Sequence, residues 1–513
     1  MNGSNEGNSL ESALRSVRVL RERLWNDPHR PRYHLMPPDG FFNDANGTIY
    51  WKGRYHVFYL GRMPNPDPGE STEYDWLPVL EHSSSDDLVH WIYHPPAIVP
   101  AFDGTTPRGI YSGDAIENAP IPTLIYHVPG QGTCIATSND DNLVKWSPLP
   151  DNPVIPVPDE TQRQQDDSSE DADVANPAKD YCVFDPCAWY EDGVYYALLG
   201  NKNLRPGYEG DCTSLFRSKD LVHWDYLHPF YRSDRKWTDE VEDCACPDFF
   251  PIGDRHMLLM HTHRPNFQCQ YYLGRYENHT FYPEDHGRMN WHGGALSGPE
   301  TLLDDNGRRI FFGWIRETNR LAEGRNWDDC FATGWGSVMS LPRVFSLDDG
   351  GKLLIDPVPE LQALRQNHRR WDAVALEADE EKILPEVKGD CLEIAVVVDP
   401  EDAKRLEVKV RCSPDGKEQT TIAYDHQKKL IGIGTNDSDD HSQEAPFYLA
   451  GGEPLEMRIF LDRSVLEVFV NHRQCITHRT YPRRGDSFGI RFFASGAKAQ
   501  VRSVDIWEMQ PVC

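Results

Sequence analysis

Five acidic residues stand at comparable places in this chain. Asp44, Asp114, Asp185, Asp248 and Glu300 each lie eight to eleven residues before an apolar, strand-like run. The runs are YHVFYL (55–60), PTLIYHV (122–128), VYYALLG (194–200), HMLLMHT (256–262) and RIFFGWI (309–315). An acid before a strand is ordinary turn chemistry, because Asp caps local backbone amides. Five acids at one phase of five repeats would instead ring one funnel and offer several carboxylates to one substrate. The stretch FFNDANG (41–47) poses the choice most sharply: Asp44 is either a turn residue or a carboxylate aimed at a ligand.

The elements that would position these acids read as β. Hairpin chemistry (KG, EDG, IGD, DNG) precedes four of the runs. A second motif recurs downstream as DDLVHW (86–91), DNLVKW (141–146) and KDLVHW (219–224), with Trp91, Trp146 and Trp224 at one phase and expected in the core. Five all-β units at roughly 50–70 residues match the period of a four-stranded propeller blade. Two sandwiches in series would leave the LVHW element unexplained. Residues 9–25 carry Leu and Val at helical spacing behind a capping Ser9, so a short N-terminal helix is expected. The acidic stretch 159–173 reads as a loop between the second and third units. From about 372 onward, regular alternating strands predict a β-sandwich. The expected fold is therefore all-β: a helical extension (1–28), a five-bladed β-propeller (29–362), a linker (363–372, including QNHRRW) and a C-terminal β-sandwich (373–513).

Composition narrows the partners. The formal net charge is −29 over 513 residues, which argues against nucleic acid, since phosphate binding needs a basic surface. No run of 18 apolar residues exists, so no membrane span is expected. The polar start MNGSNEGNSLES lacks an apolar signal core, and the expected location is cytoplasmic, or secreted if a signal has been removed. Twelve cysteines lack framework spacing. The tightest group, Cys182, Cys187, Cys244 and Cys246, does not match a paired zinc motif, and neither metal nor cofactor is expected. The sequons at 46, 278 and 436 matter only in a secreted protein.

Several motifs together resemble glycoside hydrolase family 32, the invertases, inulinases, levanases and fructan transferases. YHLMPPDGFFNDANG is similar to the family's signature through His34, Pro37, Gly40, Asn43, Asp44, Asn46 and Gly47. SSSDDLVHW, YSGDA (111–115), VFDPCAW (183–189), CPDFF (246–250), GRRIFFGWI (307–315), GWGSVMSLPR (334–343) and PVPEL (357–361) resemble further family segments, and FLDRSVLEVFVN (460–471) with RTYP (479–482) resembles its sandwich. The likeness covers about residues 31 to 510. It implies a five-bladed propeller plus sandwich and retaining cleavage of β-fructofuranosides, with a fructose-containing oligo- or polysaccharide as partner. In such cleavage one carboxylate attacks the anomeric carbon while a protonated carboxyl serves the leaving oxygen. By the resemblance Asp44 is the nucleophile and Asp185 the transition-state stabiliser. Asn43, His82, Ser112, Asp114, Phe184, Asp248 and Glu300 are the expected sugar-binding positions, with packing inside a blade as the other reading of His82.

This sequence departs from the family pattern at three places. Ala45 replaces a proline. Phe184 replaces the arginine of the RDP motif and removes a planar fork of donors. Ala245, in DCACPDFF, stands where the family has its acid/base glutamate. Either that residue was exchanged by engineering, or the acid is naturally lost, or Glu242 or Asp243 stands in, as against being a solvated loop charge. Two rival functions follow: a propeller glycosidase for another furanoside, such as an arabinofuranoside, and a non-catalytic carbohydrate-binding homologue. Linkage, hydrolysis versus transfer, and oligomeric state are not encoded in these motifs.

Overall fold

In the computed structural model each of the five apolar runs is the second strand of its own antiparallel sheet. The structure describes residues 19–512 apart from positions 21, 39, 65–75, 101–108, 158–174, 177–180, 202–211, 239–241, 264–266, 318–332, 385–386, 401 and 436–442. Helix occupies 19–20 and 22–26, and the remainder of the expected N-terminal helix lies outside the described residues, as does the acidic stretch 159–173.

Sheet I runs Ala45–Trp51, Arg54–Pro64, Trp76–Ser85, Trp91–Tyr93. Sheet II runs Gly113–Ala115, Thr123–Val128, Gly132–Thr137, Ile155–Pro156, with Ser147–Pro148 also on its third strand. Sheet III is Pro186–Glu191, Val194–Leu199, Cys212–Ser218, Trp224–Arg232. Sheet IV is Ala245–Ile252, Arg255–Thr262, Gln268–Glu277, Thr280–Arg288. Sheet V joins Leu296–Leu303, Arg309–Ile315, Arg343–Leu347 and Leu353–Pro357, with Val338–Met339 beside its second strand. The first strands pack against one another in cyclic order, I to II to III to IV to V and back to I. The ring therefore brings the starts of five distant segments together.

The recurring LVHW element has a local physical cause. Leu88, Leu143 and Leu221 adopt left-handed φ of 63°, 53° and 68° and bury their side chains. Left-handed backbone disfavours a branched residue, and the preceding acid compensates. Asp87 Oδ1 accepts the amides of Val89 and His90, Asp140 those of Asn142, Val144 and Lys145, and Asp220 those of Val222 and His223. The indoles of Trp146 and Trp224 donate to the carbonyls of Leu143 and Leu221. In sheets I and III the motif is thus the turn feeding the fourth strand.

Beyond residue 364 two six-stranded sheets face one another across one apolar core. The expected linker at 363–372 is not one. Pro359–Leu364 is a 3-10 turn, and Arg365–Leu376 is a strand paired with Ala499–Met509. The segment QNHRRW lies on the solvent side of that strand pair, and its charge disguised a strand as a linker. A buried ion network ties the two halves. Arg343 of sheet V pairs with Glu467 at 2.5 Å, and His34 bridges Glu467 (3.0 Å) and Asp462 (2.8 Å), with all four side chains fully buried. Among the described residues no helix is long and apolar enough to cross a membrane.

Candidate active site

The five acids do not share one level. Three of the first strands carry a register shift, between Ala45 and Thr48, Ala245 and Asp248, and Ser297 and Glu300. Side chains alternate along a strand, and a bulge re-aims them. The acids also enter their first strands at different points, and they fall into two tiers. Asp44 and Asp185 immediately precede the first strands of sheets I and III and form the upper tier with Ser112, Cys246 and Gly298. Asp114, Asp248 and Glu300 form a lower, buried tier.

In the upper tier, Ser112 Oγ donates to Asp44 Oδ2 at 3.1 Å. The other oxygen, Asp44 Oδ1, is out of solvent contact and has no hydrogen-bond partner among the described residues. Gly298 (φ +48°) lies directly against this carboxyl, so that a Cβ there would approach Asp44 Cγ to 2.9 Å. Burial, then the charge of Asp185, pushes Asp44 up to about 6, against the opposing pull of His263, Ser112 and Arg316. Asp185 Oδ2 accepts from the Cys246 amide at 3.3 Å and its thiol at 3.5 Å. Asp185 (φ 28°) and Cys246 (φ 43°) both hold left-handed backbone. Such residues cost roughly 1–3 kcal/mol each and cluster at working sites. The Oδ1 of Asn43, beside Asp44, is likewise buried without a partner among the described residues.

The lower tier is structural in its contacts. Glu300 accepts the amides of Gly47 and Thr48 (2.8 and 2.9 Å), Asp114 accepts that of Ala188 (2.9 Å), and Asp248 accepts from Thr301 Oγ1 (2.7 Å). These bonds lace sheet V to I, II to III, and IV to V. Burial, opposed by the hydrogen bond with Glu300, pushes Asp114 up to about 6, and burial plus Asp114's charge pushes Glu300 and Asp248 well above the usual carboxylate range. The three acids expected at a sugar pocket, Asp114, Asp248 and Glu300, are buried, with Asp114 and Glu300 hydrogen-bonded to each other and all three bonded to neighbouring strands of the ring.

His82 takes the other of its two expected places, packed inside a sheet. It is buried in sheet I, bonded to His56 at 3.0 Å and stacked on Phe58 and His94. Burial, reinforced by the two neighbouring imidazoles, pulls it down to about 2. Phe184 is buried edge-on to His127 and tilted against His263. Neither candidate acid is loose over the funnel. Glu242 is buried and committed to Gln270 (3.0 Å) and Arg288 (3.1 Å), on the third and fourth strands of sheet IV. Asp243 is buried and accepts the amide and Nδ1–H of His263 (2.6 and 2.7 Å).

Sequence reasoning missed His261, His263, Arg316 and Gly298. His261 lies near the end of the run HMLLMHT (256–262) and His263 directly follows it, and strand alternation puts both on one face. Arg316 follows GWI, its guanidinium 3.3 Å over the Phe267 ring. Burial pulls Arg316 down to about 10 while the charge of Asp44 resists. It supplies a cation near Asp44 from sheet V, where Phe184 supplies none from sheet III.

Residues 34–357 match the Glycosyl hydrolases family 32 N-terminal domain, and residues 360–508 match the Glycosyl hydrolases family 32 C terminal. The sucrose-6-phosphate hydrolase of Escherichia coli is 26% identical over 98% of this chain and 99% of its own length. The levanase of Bacillus subtilis is 26% identical over 95% of this chain and 71% of its own length. Among solved structures, fructan 1-exohydrolase IIa from Cichorium intybus superposes with a TM-score of 0.76 at 22% identity, covering 94% of this chain and 98% of that one.

Proposed function

Because the chain belongs to glycosyl hydrolase family 32 and is a β-fructofuranosidase-like glycoside hydrolase, we propose that it cleaves sucrose-like or fructan-like β-fructofuranosides with retention, using Asp44 as nucleophile. The observation that carries this reading is Asp44 itself. Its Oδ1 has no partner among the described residues, the carboxyl packs directly on Gly298, and Asp185 stands near enough to raise its pKa. A carboxylate that is dry and unshielded on one oxygen is a better nucleophile than a solvated one. Asp185 would hold ring hydroxyls as positive charge develops on the sugar, and Asn43 and Arg316 offer further polar contacts. The five cyclic sheets are read as blades of a five-bladed propeller within 29–362. The facing pair is read as a β-sandwich domain whose first strand begins at Arg365.

Incubation with sucrose, sucrose 6-phosphate, inulin and levan tests the activity. Released fructose that disappears in Asp44→Asn is the expected result. Cleavage of an arabinofuranoside with none of these, or fructose binding without turnover of any fructoside, would overturn it.

A further inference from the structure

Ala245 opens the first strand of sheet IV, and its cross-strand partner is His261. Two residues on, His263 extends the same face just past the end of that second strand. His261 is buried, while a quarter of the His263 side chain is exposed. The hydrogen bonds run in one direction. The Gly298 amide donates to His261 Nδ1 at 3.2 Å, so the His261 proton sits on Nε2. That Nε2 faces His263 Nε2 at 3.4 Å, and His263 Nδ1–H donates to Asp243 at 2.7 Å. Gly298 is the residue packed on the Asp44 carboxyl. The imidazole pair therefore stands opposite Ala245 and is linked through one glycine to Asp44.

We propose that the Asp243–His263 pair is the proton donor and base of glycoside cleavage in this protein, in place of a carboxylic acid. The inference rests on the fructosidase reading above. In the first step an Asp44 oxygen bonds the anomeric carbon, the carbon–oxygen bond to the leaving group breaks, and that oxygen takes the Nε2 proton of the His263 imidazolium. In the second, water bonds the same carbon, its proton passes to His263 Nε2, and the ester to Asp44 breaks. Asp243 on Nδ1 stabilises the imidazolium and fixes the ring, as a carboxylate does for a general-base histidine. When His263 is neutral its Nε2 accepts from His261 at 3.4 Å, a long contact that yields readily when Nε2 is protonated. The groups facing His263 are Asp243, His261, Asp44 across the first strands, and Arg316, which covers the Phe267 ring packed on His263.

The test compares wild type, His263→Gln and Asp243→Asn on sucrose and on p-nitrophenyl β-D-fructofuranoside, whose phenolate leaves without a proton. General acid catalysis contributes about 10²–10⁴-fold. The expected result is a fall of at least about 100-fold in kcat on sucrose for His263→Gln, with the aryl substrate within about tenfold of wild type. Wild type should also lose activity at high pH on sucrose and not on the aryl substrate. Asp243→Asn reads the same split should His263→Gln fail to fold. Equal losses on both substrates in a natively folded variant, or sucrose turnover within about threefold of wild type, would overturn the proposal and leave a structural pair. Wild type that cleaves only the aryl substrate overturns the donor while the fructosidase reading stands. Wild type that cleaves neither overturns the fructosidase reading itself.

Discussion

Replacing Gly298 by alanine should separate the placement of Asp44 from the stability of the fold. A Cβ at 298 would lie 2.9 Å from Asp44 Cγ, 3.0 Å from its Cβ, and closer still to Oδ1. Ordinary contacts are about 3.5–4 Å, so the carboxyl must retreat by roughly 0.5–1 Å. A displacement of about 1 Å costs on the order of 100-fold in rate. Alanine must also hold φ +48°, which costs about 1–2 kcal/mol. Gly307→Ala is the control. It has φ +74° and nothing within 4 Å of the added Cβ, so it carries the strain without the collision. Steady-state kinetics on sucrose and urea unfolding give the readout. Gly298→Ala should lose at least as much stability as Gly307→Ala, and only Gly298→Ala should lose about 100-fold in kcat. Equal activity in the two would refute the claim that Gly298 holds the reacting carboxyl in place.

Asp44 is pushed up to about 6, so kcat/KM should fall as pH drops through about 6, and Arg316→Gln should move that limb upward by roughly half a unit, because a cation that lowers the pKa is lost; an unmoved or lowered limb in a pH–rate profile would count against it. Since the folded pKa of Asp44 exceeds the unfolded 3.8, its ionisation destabilises the fold above that range and costs nothing below about pH 4. Asp44→Asn should therefore unfold at higher urea at pH 7, by about 1–3 kcal/mol after allowance for partial exposure, and the gain should vanish towards pH 4; a variant no more stable than wild type at pH 7 contradicts this. Glu467→Ala leaves Arg343 buried without its carboxylate, and urea unfolding should show a loss of about 3–5 kcal/mol, against which a loss below about 1 kcal/mol would speak.

The sheets were legible because their signals are local. Each second strand is a continuous apolar run, each LVHW turn carries its own capping acid, and together they mark five repeats. The strand at 365–376 was not legible, because QNHRRW is an outward face with no apolar alternation to betray it. Asp44 and Asp185 were legible through their motifs. Their separation from Asp114, Asp248 and Glu300 was not, since neither the point at which each acid enters its strand nor the bulges in three of the sheets leave a mark in spacing alone. His263 and Arg316 escaped notice because each lies at the end of a second strand. Only antiparallel pairing brings those ends beside the starts of the first strands.

The central claim is that Asp44 forms a covalent bond to the sugar. Acid-quenching the enzyme during turnover of an activated β-fructofuranoside, followed by peptide mass spectrometry, tests it directly. A fructosyl adduct on the peptide containing Asp44, with methyl β-fructofuranoside formed when methanol is the acceptor, is the predicted result. An adduct on another residue, or none together with methyl α-fructofuranoside, would contradict it.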